Sequence, residues 1–118
     1  MTTAGETRYG VLQSSDIAPM SGKAVLQAII DSRLPQAPIS RTMSFWITEV
    51  GDGSAVFEGE PSPDLLNPMG GVHGGWTATV MDSALACAVQ TTLAVGEAYT
   101  TAEFKVNFLR PITPMTGE

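Results

Sequence analysis

The sequence contains very little cysteine, histidine or positive charge. Its 118 residues include one cysteine, Cys87, and one histidine, His73. A lone cysteine excludes an intrachain disulfide and is typical of a reducing compartment. One cysteine and one histidine are too few ligands for a Cys/His zinc site. Six basic residues stand against 12 acidic ones, giving a net charge of −6. This balance argues against a nucleic-acid partner, which requires a basic surface.

The signals for secretion and membrane insertion are also missing from the pattern. Residues 1–16 are polar and do not show the basic-then-apolar order of a secretory signal. The longest apolar run, residues 76–95, contains Asp82 and two adjacent threonines, which disfavour a membrane span. The length suits one domain. Together with the missing signals and the lone cysteine, it leads us to expect a cytoplasmic, single-domain protein with no membrane partner.

The most informative stretch is a glycine-rich loop followed by a long apolar segment. Four glycines and a proline lie between Asn67 and Gly75, a density that predicts a shaped loop. Residues 77–93 then lack glycine and proline, which predicts a helix of about five turns. Because this helix is apolar nearly all round, we expect it to be buried on most sides.

The predicted helix carries a single charge, Asp82. A carboxylate on an apolar face is costly unless it is paired or used chemically. The preceding loop delivers free backbone N–H groups to the helix N-terminus, where developing negative charge is favoured. An oxyanion site near a buried carboxylate fits acyl transfer.

Each residue of this stretch also has a structural interpretation. Asp82 could be solvated or salt-bridged, and His73 could brace the loop by a hydrogen bond. Asn67 before proline could be a turn residue, and the glycines at 74 and 75 could serve close helix packing.

The remaining elements are predicted from periodicity and from breaking residues. Residues 1–15 are read as a mobile tail and residues 16–118 as one domain. The predicted elements of that domain are a helix at 20–32 capped by Ser21, a connector at 36–40, a strand at 41–50, a turn at 51–53, a returning strand at 54–60 and a strand at 99–109.

The stretch contains, in order, Asn67, Gly70, the run His73-Gly74-Gly75 and Asp82. Their order and spacing resemble the active-site signature of hotdog-fold acyl-CoA thioesterases of the PaaI-like subgroup. Residues 99–111, YTTAEFKVNFLRP, are also similar to that family, and the likeness spans residues 36–118. The resemblance implies an α+β hotdog fold, with an antiparallel sheet wrapped around a long central helix. Relatives continue into two more long strands, so the sheet is expected to be incomplete at the C-terminus.

The resemblance further implies hydrolysis of an acyl-CoA, with an aryl or medium-chain acyl group, by a homodimer or homotetramer without metal or cofactor. The Gly74 N–H is implied as the main oxyanion donor and Asp82 as general base or nucleophile. Asn67 would orient water or the carbonyl, and His73 would hold the loop. The implied substrate-binding residues are Gly75, Thr100, Thr101 and Arg110.

Three alternatives remain open from the sequence. The domain could bind acyl-CoA without turnover, although binding alone does not require a buried carboxylate. A hydratase on the same fold would need paired acid and base residues, which a single histidine in a glycine loop does not suit. The chain could also be an inactive, truncated fragment, because three strands cannot readily cover a helix that is apolar all round.

Overall fold

The computed structural model describes residues 7–117 of the chain. The elements, in chain order, are α1 (Ser14–Ile17), α2 (Gly22–Ile30), α3 (Pro38–Met43), β1 (Phe45–Gly51), β2 (Ser54–Gly59), a 3-10 turn (Pro63–Leu65) and α4 (Gly74–Gln90). The long helix α4 and the antiparallel β1–β2 sheet confirm the predicted α+β class.

β1 and β2 form a hairpin that carries most of the apolar surface under α2 and α4. Its turn places Gly53 at φ +83, a conformation that glycine adopts without steric cost. The register shifts between Ile47 and Glu49, so one extra residue of β1 bulges from the ladder. The rings of Phe45 and Phe57 meet across the hairpin with centroids 5.8 Å apart. The predicted turn and returning strand are therefore confirmed.

The predicted Ser21 cap is confirmed, because its hydroxyl accepts a hydrogen bond from the Ala24 N–H at 3.2 Å, but α2 spans Gly22–Ile30 rather than 20–32. This helix packs on β1 while α4 packs mainly on β2. The contact between these layers forms the core, whose buried apolar residues are Val25, Leu26, Ala28, Phe45, Ile47, Val72 and Trp76.

The start of α2 also meets the end of α4. The Gly22 N–H donates to the Leu93 carbonyl at 3.0 Å. A Cβ added to Gly22 would overlap the backbone carbonyl oxygen of Gln90. The close approach of the two backbones therefore depends on a residue without a side chain.

The predicted strand at 99–109 is wrong. These residues form no strand in the structure; the described sheet contains only β1 and β2. The segment instead lies against α4, and its Thr101 and Phe108 contact Asp82 and Gly74. The alternating pattern correctly favours an extended chain, but a strand also requires a neighbouring chain to complete its hydrogen bonds.

Two predicted boundaries are also wrong. Residues 38–43 belong to α3, which begins with Pro38 at a position where proline is favoured, so β1 starts only at Phe45. α4 spans Gly74–Gln90 rather than 77–93, and both glycines of the His-Gly-Gly run lie in its first turn. Glycine content suggested a loop there, but the cap supplied by His73 starts the helix earlier.

The prediction that α4 is buried on most sides is wrong for the single chain. Met81, Leu85 and Val89 recur every four residues on one face and are 38%, 51% and 49% exposed. The described part of the chain has too few elements to cover this face, which remains an apolar stripe.

The predicted mobile tail falls partly outside the described residues, which begin at position 7. Further along, the Gly10 N–H donates to the Gln36 carbonyl at 3.0 Å, and the Gln36 N–H donates to the Arg8 carbonyl at 2.9 Å. Within residues 7–117, no helix combines the length and apolar character that a bilayer crossing requires.

The contact between α2 and α4 predicts that Gly22→Ala lowers the free energy of unfolding by about 2 kcal/mol, since the new methyl group forces two backbones apart. Urea denaturation of both proteins measures this difference. Gly10→Ala is the matched control: its Cβ would lie 3.9 Å from Pro35, an ordinary contact. Equal stability of the two variants would contradict the close approach.

Candidate active site

The loop before α4 is shaped by the side chain of Asn67. Its carboxamide Oδ1 accepts hydrogen bonds from the Met69 N–H at 2.9 Å and the Gly71 N–H at 3.1 Å. Gly70 lies between them at φ +87, a conformation that favours glycine. The structure therefore uses the Asn67 oxygen inside its own turn, which corresponds to the turn interpretation of this residue.

His73 caps the N-terminus of α4. Its ring Nδ1 accepts a hydrogen bond from the Gly75 N–H at 2.8 Å, which places the proton of a neutral ring on Nε2. A Cβ on Gly75 would lie only 2.8 Å from this Nδ1. The second glycine of the His-Gly-Gly run thus leaves room for the imidazole, and His73 acts here as a brace.

The first N–H of the helix, that of Gly74, is left available. Among the described residues no protein group accepts a hydrogen bond from it, whereas the Gly75 and Trp76 N–H groups both donate to His73. An N–H at this position adds to the positive end of the helix dipole. The arrangement can therefore stabilise a negatively charged oxygen.

Trp76 fixes this end of α4 to the rest of the fold. Its side chain is 8% exposed, and its indole Nε1–H donates to the Met43 carbonyl at 2.5 Å. Met43 is the last residue of α3 and is separated from β1 by Ser44 alone. The helix start is thereby tied to the joint between α3 and the hairpin.

Asp82 lies two turns further along α4 and is half-buried. Its Oδ1 accepts a hydrogen bond from the Thr101 hydroxyl at 3.0 Å. The carboxylate borders a cavity of about 390 Å³ between α4, α2, α3 and the hairpin. Such a size is within the range of small-molecule sites. A hydrogen-bonded carboxylate at the edge of an apolar cavity can act as a base or a nucleophile.

Two further titratable side chains line the same cavity, and the sequence patterns did not mark either as functional. Burial raises the pKa of the Cys87 thiol to about 11. Burial also raises the pKa of Tyr99, with smaller contributions from the neighbouring Cys87 and Asp82. Both groups are therefore neutral at physiological pH and present uncharged surfaces to the cavity.

The predicted site residues fall into three groups in the structure. Asp82, Thr100 and Thr101 border the 390 Å³ cavity. Gly74 and Arg110 border another, of about 320 Å³, together with Phe108. His73 and Gly75 face a third, of about 350 Å³, and Asn67 is a lining residue of none of the three. Among the described residues, no cluster of three or more His, Cys, Asp or Glu could hold a metal ion.

The comparison with known proteins agrees with this geometry. Residues 69–115 match the thioesterase superfamily. The fold is similar to a crystal structure from Ralstonia eutropha JMP134, named as a candidate thioesterase and phenylacetic acid degradation-related protein. The likeness has a TM-score of 0.68 and 27% identity, over 75% of this chain and 68% of that chain. No curated protein matches the sequence at a significant level.

Both likenesses point to one class: the chain is similar to the thioesterase superfamily over residues 69–115, and its fold resembles that of a hotdog thioesterase. The general reaction they support is the hydrolysis of a thioester.

The burial of Cys87 predicts that its thiol reacts slowly with disulfide reagents. At pH 8 its thiolate fraction should be about 100-fold lower than that of the unfolded chain, because its pKa is raised from 9.0 to about 11. The rate of reaction with a disulfide reagent, measured against pH with and without denaturant, checks this. The neutral thiol stabilises the folded state below pH 9, and this contribution is lost as the pH rises through 11. Equal rates in folded and unfolded protein would contradict the assignment.

Proposed function

We propose that the protein hydrolyses an acyl-CoA thioester, with an aryl or medium-chain acyl group, to a free acid and coenzyme A. The observation that carries the proposal is Asp82, a half-buried carboxylate held by Thr101 at the edge of an apolar cavity. The name of the Ralstonia relative, which refers to phenylacetic acid degradation, supports an aryl group among the candidates.

The Thr101 hydroxyl donates to Asp82 Oδ1, so we assign the reaction to the second carboxylate oxygen. As a general base, Asp82 removes a proton from water while the water oxygen adds to the thioester carbon. The tetrahedral oxyanion then collapses, the carbon–sulfur bond breaks, and the thiolate takes up the proton. As a nucleophile, Asp82 instead forms an anhydride and expels the thiolate, and water then hydrolyses the anhydride. Both routes use the same side chain.

The oxyanion donor for this carbonyl is proposed to be the Gly74 N–H, which has no acceptor within residues 7–117. In one chain, however, Gly74 and Asp82 are eight residues apart on α4, about 12 Å along the axis. Donor and carboxylate must each approach the same carbonyl to about 3 Å. We therefore propose that a second copy of the chain supplies the donor, within the homodimer or homotetramer that the resemblance implies.

The exposed stripe of Met81, Leu85 and Val89 supports this assembly, since it adjoins Asp82 and is apolar. Covering it with a second copy would remove apolar surface from water. The resulting dimer, or a tetramer of two dimers, would contain two equivalent sites.

Coenzyme A is polyanionic and this protein is acidic, so its binding depends on local positive charge. Arg110 lies beside Gly74 in the cavity at the positive end of α4. We propose that Arg110 contacts a phosphate of coenzyme A, while Gly75 and Thr100 contribute to the binding surface. His73 and Asn67 hold the loop that presents the Gly74 N–H.

Replacing the carboxylate tests the reaction directly. Asp82→Asn should lower kcat for acyl-CoA hydrolysis by at least about 1,000-fold, since it removes both base and nucleophile. Release of free thiol from acyl-CoA measures turnover, and circular dichroism checks the fold. Thr101→Val should cause a smaller loss, because the carboxylate remains but is no longer held. No turnover by a folded native protein would favour an acyl-CoA-binding domain instead.

The helix N-terminus allows a backbone donor to be removed. Gly74 follows the cap residue His73, whose φ of −59 and ψ of 132 are compatible with a following proline. Gly74→Pro should therefore leave α4 intact but lower kcat by about 100- to 1,000-fold. Gly74→Ala is the control: it adds a Cβ 3.3 Å from the exposed Phe108 ring and keeps the N–H. Equal losses of kcat in both variants would show that the added side-chain volume at position 74, and not the loss of the N–H, causes the effect.

The same variants test whether two copies form the site. A mixture of inactive Asp82→Asn and Gly74→Pro chains, refolded together in equal amounts, should recover about a quarter of native activity, because half of the dimers then contain one intact site. Activity that stays at the level of the separate variants would mean that both groups act within one chain.

A further inference from the structure

Two cavities meet at Asp82. The inner cavity, of about 390 Å³, lies between α4 and the core, and the outer cleft, of about 240 Å³, lies between α4 and the segment after residue 98. The residues that border both are Asp82, Ala86, Tyr99, Thr100 and Thr101. A substrate carbonyl at Asp82 could therefore direct its acyl group to either side.

The helix geometry separates the two sides. With about 100° between successive residues, Leu85 and Val89 lie on one side of Asp82, and Ser83 and Cys87 lie on the other. The first pair borders only the outer cleft and is exposed, whereas the second pair borders only the inner cavity. Asp82 thus lies at the boundary between the open face and the packed face of α4.

The walls of the inner cavity suit an apolar group. Leu26, Phe45 and Ile47 are each at most 6% exposed, and Asp82 is the one charged residue among those that line it. The outer cleft contains a second carboxylate, Glu103, and is bordered by exposed side chains. The buried apolar walls of the inner cavity would remove an acyl chain from water, whereas the polyanionic coenzyme A is unfavourable there.

Cys87 lies at a defined depth in this cavity. It follows Asp82 by five residues, which places it about 7.5 Å further along the helix axis. An extended chain covers that distance in roughly six bonds, taking the rise per bond from backbone geometry. An acyl group that runs along the helix and is longer than this must pass the Cys87 side chain.

We propose that the inner cavity holds the acyl group and that Cys87 determines the longest acyl chain accepted. This inference rests on the proposed acyl-CoA hydrolysis. The small thiol of Cys87, the last residue of α4 that borders the cavity, leaves room there for a chain of medium length. Cys87 is here a specificity-determining residue and takes no part in the bond-breaking step.

The test compares Cys87→Leu with the native protein on acetyl-, butyryl-, hexanoyl-, octanoyl- and decanoyl-CoA. The larger side chain should lower the octanoyl-to-butyryl ratio of kcat/KM by about tenfold, with butyryl-CoA hydrolysis retained. Cys87→Ala should raise kcat/KM for decanoyl-CoA relative to that for butyryl-CoA. Ala94→Leu introduces the same side chain at an exposed position after α4, against a separate cavity, and should keep the native ratio.

An unchanged ratio in a folded, active Cys87→Leu protein would overturn the inference and leave acyl-CoA hydrolysis standing. A similar drop in Ala94→Leu would also overturn it, because the effect would then be global.

A second measurement does not depend on turnover. S-octyl-CoA, an unhydrolysable thioether, should slow alkylation of Cys87 by N-ethylmaleimide by about tenfold at saturation, whereas S-ethyl-CoA should not. Absence of hydrolysis with this protection would refute the proposed function and support the inner cavity as the acyl site. Equal protection by both thioethers, or protection by neither, would overturn the inference.

Discussion

The fold depends on how the first turn of α4 is attached. Trp76 is buried there, and its indole N–H binds the Met43 carbonyl at the joint between α3 and β1. At the same joint the Ser44 hydroxyl donates to the Glu60 carbonyl at 2.6 Å, just after β2. One junction therefore links α3, both strands and the central helix. Because His73 caps the turn that carries Trp76, the attachment also orients the free Gly74 N–H.

The same helix serves the core on one side and leaves an apolar stripe on the other. Asp82 lies between these sides, bordered by the inner cavity and by the outer cleft. A carboxylate buried on both sides would be costly to ionise, and one in open water would have no apolar site beside it. Its intermediate position, with Thr101 as hydrogen-bond donor, places a carboxylate next to an apolar cavity. This position is the physical basis of the proposed hydrolysis.

Sequence patterns predicted local features well but did not predict which segments of the chain pair with each other. The Ser21 cap, the turn at Gly53 and the long helix followed from residue type and spacing, and all three are present. The segment at 99–109 alternates like a strand, yet an alternating pattern does not specify a hydrogen-bonding partner. The prediction missed α3 because residues 41–43 are too few to distinguish helical from strand periodicity. Cys87 and Tyr99 carry no local signal of function, since only the packing of distant segments places them in one cavity with Asp82.

The order of residues alone determined that one carboxylate would lie on an apolar helix behind a glycine-rich turn, because helical periodicity and glycine content are local properties. Tertiary structure decided which groups meet. It placed Thr101 on Asp82 and brought Cys87 and Tyr99 to the same cavity. These contacts join segments that are separated along the chain, and they are set by packing rather than by local pattern. The hydrogen bonds of Asn67 and His73 are local, within four residues, but residue type alone left open whether these side chains brace the loop or face a substrate.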